Sequence, residues 1–99
     1  MNNIMAQLFK AEDIPRIAPI FRFQWEEAQN CFVVLYPEGM VKLSDSAGEI
    51  MKRCDGQTTI TELLDDLHQT FPGADLDNDV YQFLEVAHAK GWIRKSKPD

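Results

Sequence analysis

Apolar and polar positions change period along this chain, and each change marks an element. From Ile20, the apolar residues Phe21, Phe23 and Trp25 alternate with Arg22 and Gln24, the two-residue period of a half-buried strand. Glu26 to Asn30 is polar and short enough to close a hairpin. Cys31-Phe32-Val33-Val34-Leu35-Tyr36 follows as an unbroken apolar run rich in β-branched and aromatic residues. Such a run predicts a central strand covered on both faces. Pro37-Glu38-Gly39 reads as a turn, with Pro37 fixing φ and Gly39 expected to supply a left-handed conformation. In Met40-Val41-Lys42-Leu43, Val41 and Leu43 share one face and Met40 and Lys42 the other, so a third, shorter strand returns.

Beyond Leu43 the period becomes helical. Ser44 or Asp45 can cap a helix whose apolar positions Ala47, Ile50, Met51 and Cys54 follow i, i+3, i+4, i+7 spacing, with Asp55-Gly56 as its stop. Gly48 inside it costs ~1 kcal/mol relative to alanine, so close packing is expected there. Thr59-Ile60-Thr61-Glu62 matches a capping box, and Ile60, Leu63, Leu64, Leu67 and Phe71 form one stripe ended by Pro72-Gly73. A third helix starts near Asp77, directs Val80, Phe83, Leu84 and Ala87 to the core and stops at Gly91, after which Trp92 and Ile93 pack back as a short extended piece.

The fold class that follows is α+β: a three-stranded antiparallel N-terminal sheet followed by a three-helix bundle. The trio is winged helix-turn-helix-like, with its strands ahead of the helices. Residues 1–19, held extended by Pro15 and Pro19, are expected as an N-terminal arm with Ile14, Ile17 and Ile20 able to drape over the core. Residues 20–93 are expected to form a single domain, and 94–99 a polar tail.

Charge narrows the partners. Sixteen acidic against ten basic residues give a net charge of −6, a surface that repels nucleic acid unless a basic stripe offsets it. The basic residues are scattered, apart from Arg94, Lys95 and Lys97. The third helix sets Asp77, Asp79 and Glu85 against Lys90, with Asn78 and Gln82 as neutral candidates for reading bases. No nucleic-acid partner is expected. The longest apolar run, Cys31 to Tyr36, is too short to span a bilayer, and Met1 to Ala11 lacks the pattern of a signal peptide. No membrane partner is expected, and the location expected is the cytoplasm.

Candidate chemistry is sparse. Cys31 and Cys54 lack the close spacing of metal ligands and read as packing residues, and His68 and His88 have no second ligand on their own helices. Asp65-Asp66, Glu26-Glu27 and Asp75, Asp77 and Asp79 read as solvated faces. Ser44 and Ser46 have no histidine nearby in sequence, and no phosphate-binding glycine loop is present. The chain is therefore expected to bind without catalysing and to hold no cofactor.

The third strand is expected at a sheet edge, where unpaired backbone groups accept a peptide as an added strand. The third helix carries Tyr81 and Val86 beyond its core face. A groove lined by Met40, Val41, Tyr81 and Leu84 would use that excess, whereas a wide core stripe touching the N-terminal arm would absorb it. Val41→Pro is expected to remove one donor from the edge. An exposed edge and a loose arm also permit a homodimer by strand exchange. The alternative function is an acidic winged-helix-like interaction module in transcription regulation.

Pro15-Arg16-Ile17, Phe23-Gln24-Trp25-Glu26, the string Leu35-Tyr36-Pro37-Glu38-Gly39-Met40-Val41-Lys42-Leu43 and Asp55-Gly56 resemble the pyrroloquinoline quinone (PQQ) biosynthesis family PqqD, over about Ile14 to Ile93. Ser44 departs from the asparagine expected there, but both residues cap helices. The resemblance implies a peptide chaperone, a leader-peptide recognition element without a cofactor or activity of its own. It would bind the precursor peptide PqqA and present it to PqqE, a radical S-adenosylmethionine enzyme with iron–sulfur clusters that joins a Glu and a Tyr side chain of the peptide. The peptide would add as a strand beside Met40, Val41, Lys42 and Leu43. It would pack on the outward side of Asp77–Lys90, where Tyr81, Leu84, Glu85 and His88 are the contact residues implied.

Overall fold

Eight elements follow one another in a computed structural model that describes residues 8–96. They are β1 (Pro15–Ile17), β2 (Arg22–Glu26), β3 (Cys31–Tyr36), β4 (Gly39–Lys42), α1 (Asp45–Lys52), α2 (Ile60–Thr70), α3 (Asp77–Ala89) and β5 (Ile93–Lys95). The fold is α+β, with three helices and antiparallel sheets. Strand order β2-β3-β4 makes the larger sheet, so the run Cys31–Tyr36 is central and the shortest strand is an edge. Phe23 lies opposite Val34, and Val34 opposite Val41. One row of apolar side chains therefore crosses the sheet on the face that meets the helices. Val34, Leu43, Ile50, Met51, Leu63, Leu84 and Ala87 share a single core beneath it, whereas Val33, also buried, points to the other face and lies outside that cluster.

The two ends of the described chain meet, which the pattern of periods did not reveal. Pro15, Arg16 and Ile17 pair with Lys95, Arg94 and Ile93 in a two-stranded antiparallel sheet, so part of the expected arm and part of the expected tail form one element. Carbonyls of Ala11 and Asp13 accept the backbone N–H groups of Thr61 and Ile60, satisfying donors that the first turn of α2 leaves open. Phe9 is 0% exposed; its ring meets His88 edge-on and lies under the Lys95 ammonium. Residues 8–19 are thus integral to the body, and the rest of the expected arm lies outside the described residues.

Two glycines sit close to aromatic side chains of β3. Tyr36 pairs with Gly39, which leaves Pro37-Glu38 as the whole loop and places Gly39 inside β4. Its φ is not positive, contrary to the expectation; a Cβ there would stand 3.2 Å from the Tyr36 hydroxyl, the far end of a side chain that can shift. At Gly48 a Cβ would fall 2.6 Å from Phe32, the close packing anticipated for α1 against the sheet.

The helix signals translate directly, with one shift. Ser44 caps α1 by accepting from Ala47, and Thr59 with Glu62 forms the reciprocal capping box of α2. α1 stops at Lys52, earlier than Asp55-Gly56, because Arg53 and Cys54 donate to Ile50 and Met51 in a tighter turn that keeps Cys54 in the core. At the end of α3, Gly91 at φ +81 lets its own N–H reach His88 O and the Trp92 N–H reach Ala87 O, the paired closure of a Schellman motif.

Candidate peptide-binding surface

One hydrogen bond sets which backbone groups of β4 are free. Leu43 N–H donates to the Phe32 carbonyl at 2.9 Å. Bonded and non-bonded residue pairs alternate along an antiparallel ladder, so Val41 opposite Val34 and Gly39 opposite Tyr36 are also bonded pairs. Met40 and Lys42 therefore turn their N–H and C=O groups away from β3. No other strand pairs with that side of β4 among the described residues. This corrects the expectation for Val41→Pro: the Val41 donor belongs to the internal ladder, and the outward donors are those of Met40 and Lys42.

Side chains follow the same alternation. Met40, 41% exposed, and Lys42 stand in solvent, Val41 is half-buried, and Leu43 is buried in the core. Leu84 is 0% exposed on the inner face of α3, so its contribution lies behind the surface. Helical spacing of 100° per residue puts Tyr81, Glu85 and His88 on one shoulder of α3 and Phe83, Asp79 and Val86 on the other. The first shoulder faces the N-terminal segment. His88 touches Phe9, and burial together with the carboxylates of Asp77, Glu12 and Asp13 raises the Tyr81 pKa. The structure thus groups Tyr81 and His88 with residues 9–13, the arrangement in which the arm absorbs part of the extra apolar surface of α3.

The second shoulder opens on a groove of ≈ 770 Å³ that periodicity did not single out. Trp25 and Phe32 contribute from the sheet, Ala47 and Ile50 from α1, Phe71 from the end of α2 and Phe83 from α3. Phe23 stacks on Phe32 at 4.9 Å between ring centres, and Trp25 meets it edge-on at 5.0 Å. Trp25 is 44% and Phe71 40% exposed. The charged residues on the lining are Asp45, Glu49 and Asp79, all acidic. The only signal in the sequence was the size of these aromatics at strand and helix ends, positions that ordinary core residues also occupy.

The polar side chains build structure. Arg53 joins α1 to α2, donating to the Glu49 carboxylate at 2.9 Å and to Asp66 at 2.6 Å. His68 pairs with Asp77 at 2.8 Å, linking α2 to the start of α3. Burial pushes the Cys54 thiol up to about 12, which suits a packing residue over a nucleophile. Among the described residues no group of three or more His, Cys, Asp or Glu side chains is placed to hold a metal ion, and no helix is long and apolar enough to cross a membrane.

Sequence and fold comparisons converge. A family model described as "Coenzyme PQQ synthesis protein D (PqqD)" matches residues 31–93. A protein of Azotobacter vinelandii described as "PqqA binding protein" is 52% identical over 82 residues, covering 82% of this chain and 89% of that one. A protein of the same description from Pseudomonas aeruginosa is 51% identical over 83 residues, covering 83% and 90%. The fold matches the solution NMR structure of the PqqD truncation of Methylobacterium extorquens PqqCD, described as a functional and stand-alone recognition element for ribosomally synthesized and post-translationally modified peptides. The TM-score is 0.73 at 27% identity, over 89% of this chain and 96% of that one.

Proposed function

This chain belongs to the PqqD family, and on that premise we propose that it is a peptide chaperone of PQQ biosynthesis that binds the precursor peptide PqqA. The observation that carries the reading is the open side of β4, where Met40 and Lys42 offer backbone donors and acceptors to an added strand. In this reading Met40, Val41, Lys42 and Leu43 form the strand that the peptide pairs with. Leu84 supplies the apolar floor beneath α3, Tyr81 and His88 hold α3 in place from the N-terminal side, and Glu85 offers a charge to the peptide. The bound peptide is presented to PqqE, where the chemistry occurs, so this chain acts without catalysis and in the cytoplasm. The helices with their preceding strands are proposed as a winged helix-turn-helix-like scaffold turned to peptide binding. Residues 20–93 are proposed as the recognition domain, supported from outside by the β1–β5 pair.

Titration of the full chain with synthetic PqqA peptide tests the reading. Saturable binding at one peptide per chain is expected, with loss of affinity when the peptide is replaced by one of the same composition in scrambled order. Equal affinity for the scrambled peptide, or none for either, would overturn it.

A further inference from the structure

The groove beside the second shoulder of α3 lies apart from the strand edge used in the peptide reading, since none of Met40, Val41, Lys42 or Leu43 lines it. Its shape is set by neighbours that are already fixed. Gly48 brings α1 close against Phe32, Arg53 ties α1 to α2 through Glu49 and Asp66, and the buried Leu67 and Val80 lie at its floor. Above that floor Trp25 and Phe71 stay exposed and Phe83 half-buried. Aromatic rings gathered from a strand, a helix end and a second helix into one open apolar trough mark a contact surface.

Charge decides what the groove accepts. Asp45, Glu49 and Asp79 stand on its lining, and no Lys, Arg or His does. Glu49 is taken up by Arg53, whereas Asp45 and Asp79 have no ion-pair partner among the described residues. An acidic or phosphorylated ligand would meet like charge there. A ligand that brings a large apolar side chain together with Arg or Lys matches both halves of the surface, and a guanidinium also suits the open face of Trp25 or Phe71. We propose that the groove docks a basic, apolar segment of a partner protein. One leucine or aromatic side chain of that segment sits among Trp25, Phe71 and Phe83, and its flanking Arg or Lys residues pair with Asp45 and Asp79.

Asp45 and Asp79 begin different helices, α1 and α3, so two cations spaced along a chain reach both where one small cation reaches a single carboxylate. The docked segment leaves β4 uncovered, and a strand-added peptide can be held at the same time. The proposal stands independently of the peptide reading.

Trp25 reports on the groove directly, because Trp92, the other tryptophan, is buried. The full chain is titrated with a blocked peptide of one leucine flanked by arginines on both sides, and with versions carrying Glu for Arg or Gly for Leu. The Arg–Leu peptide is expected to move Trp25 emission to the blue and to saturate. The Glu version should give no shift, and the Gly version should bind about tenfold more weakly. Asp45→Asn/Asp79→Asn is expected to weaken binding about fivefold and Phe71→Ser about tenfold. Asp65→Asn, at an exposed acid outside the groove, should leave it unchanged. Thermal melts establish that each variant is folded, and the acid pair and Phe71 serve as replacements for each other. Equal binding of the Arg and Glu peptides, no saturable shift, or an equal loss in Asp65→Asn would overturn the proposal. So would an emission shift with protein concentration alone, which assigns the groove to a second copy, or displacement of the probe by synthetic PqqA peptide.

Discussion

Leu43 N–H and the Phe32 carbonyl, 2.9 Å apart, determine the bonding direction of every residue in β4. Lys42, like Met40, is therefore a position at which proline removes an outward donor and leaves the ladder whole, as edge strands tolerate. Lys42→Pro is expected to keep the fold and to lose roughly fivefold in peptide affinity, the worth of ~1 kcal/mol for one hydrogen bond. Val41→Pro removes a bond to Val34 instead and is expected to destabilise the fold by ~1–3 kcal/mol. Calorimetric titration beside thermal melting distinguishes the two.

Phe9 carries much of the attachment of the N-terminal segment. Its ring is wholly enclosed between His88 and Lys95. Phe9→Ala is expected to cost ~3 kcal/mol of stability, read as a lower denaturant midpoint with an unchanged slope. A midpoint equal to wild type would show that the segment does not pack as described.

Tyr81 faces the same segment. Tyr81→Ala is expected to lower stability by ~2–3 kcal/mol through lost burial and to change peptide affinity by less than about twofold. A folded variant with the reverse pattern would place the phenol in direct contact with the peptide.

Acid should loosen the join between α1 and α2. Burial pushes the Asp55 pKa up, but hydrogen bonds from the Gln57 and Thr58 backbones and the Thr58 hydroxyl outweigh it, and the value falls below the usual 3.8. The Asp13 value is lowered chiefly by the Lys10 N–H, with Lys95 adding to it against burial. A depressed carboxyl stabilises the fold above its unfolded pKa, and that contribution is lost as pH falls through the folded one. Stability is therefore expected to drop below pH 3.8, and Asp55→Asn should reduce that drop in a pH series of denaturant melts.

The hairpins and helices were legible because each rests on a local signal. Thr59 and Glu62 announce α2, Ser44 announces α1, and the two-residue period gives β2. The edge position of Gly39–Lys42 also followed from the order of the three strands. The β1–β5 pair was not legible, since Pro15–Ile17 and Ile93–Lys95 are three-residue strands far apart in sequence with no turn to join them. The left-handed turn expected at Gly39 did not appear because the loop closes in two residues, Pro37-Glu38, which puts Gly39 in β4 opposite Tyr36. Of the candidate site, the edge strand was legible as an element. The division of α3 into a shoulder facing Phe9 and a shoulder facing Trp25 required knowing what packs on each.

Amide hydrogen exchange along β4, measured by NMR with and without PqqA peptide, bears most directly on strand addition. In the free protein Val41 and Leu43 should be protected and Met40 and Lys42 exchange fast. Saturating peptide should slow Met40 and Lys42 while Val41 and Leu43 stay protected. Peptide that binds and leaves Met40 and Lys42 exchanging as fast as before would contradict the account.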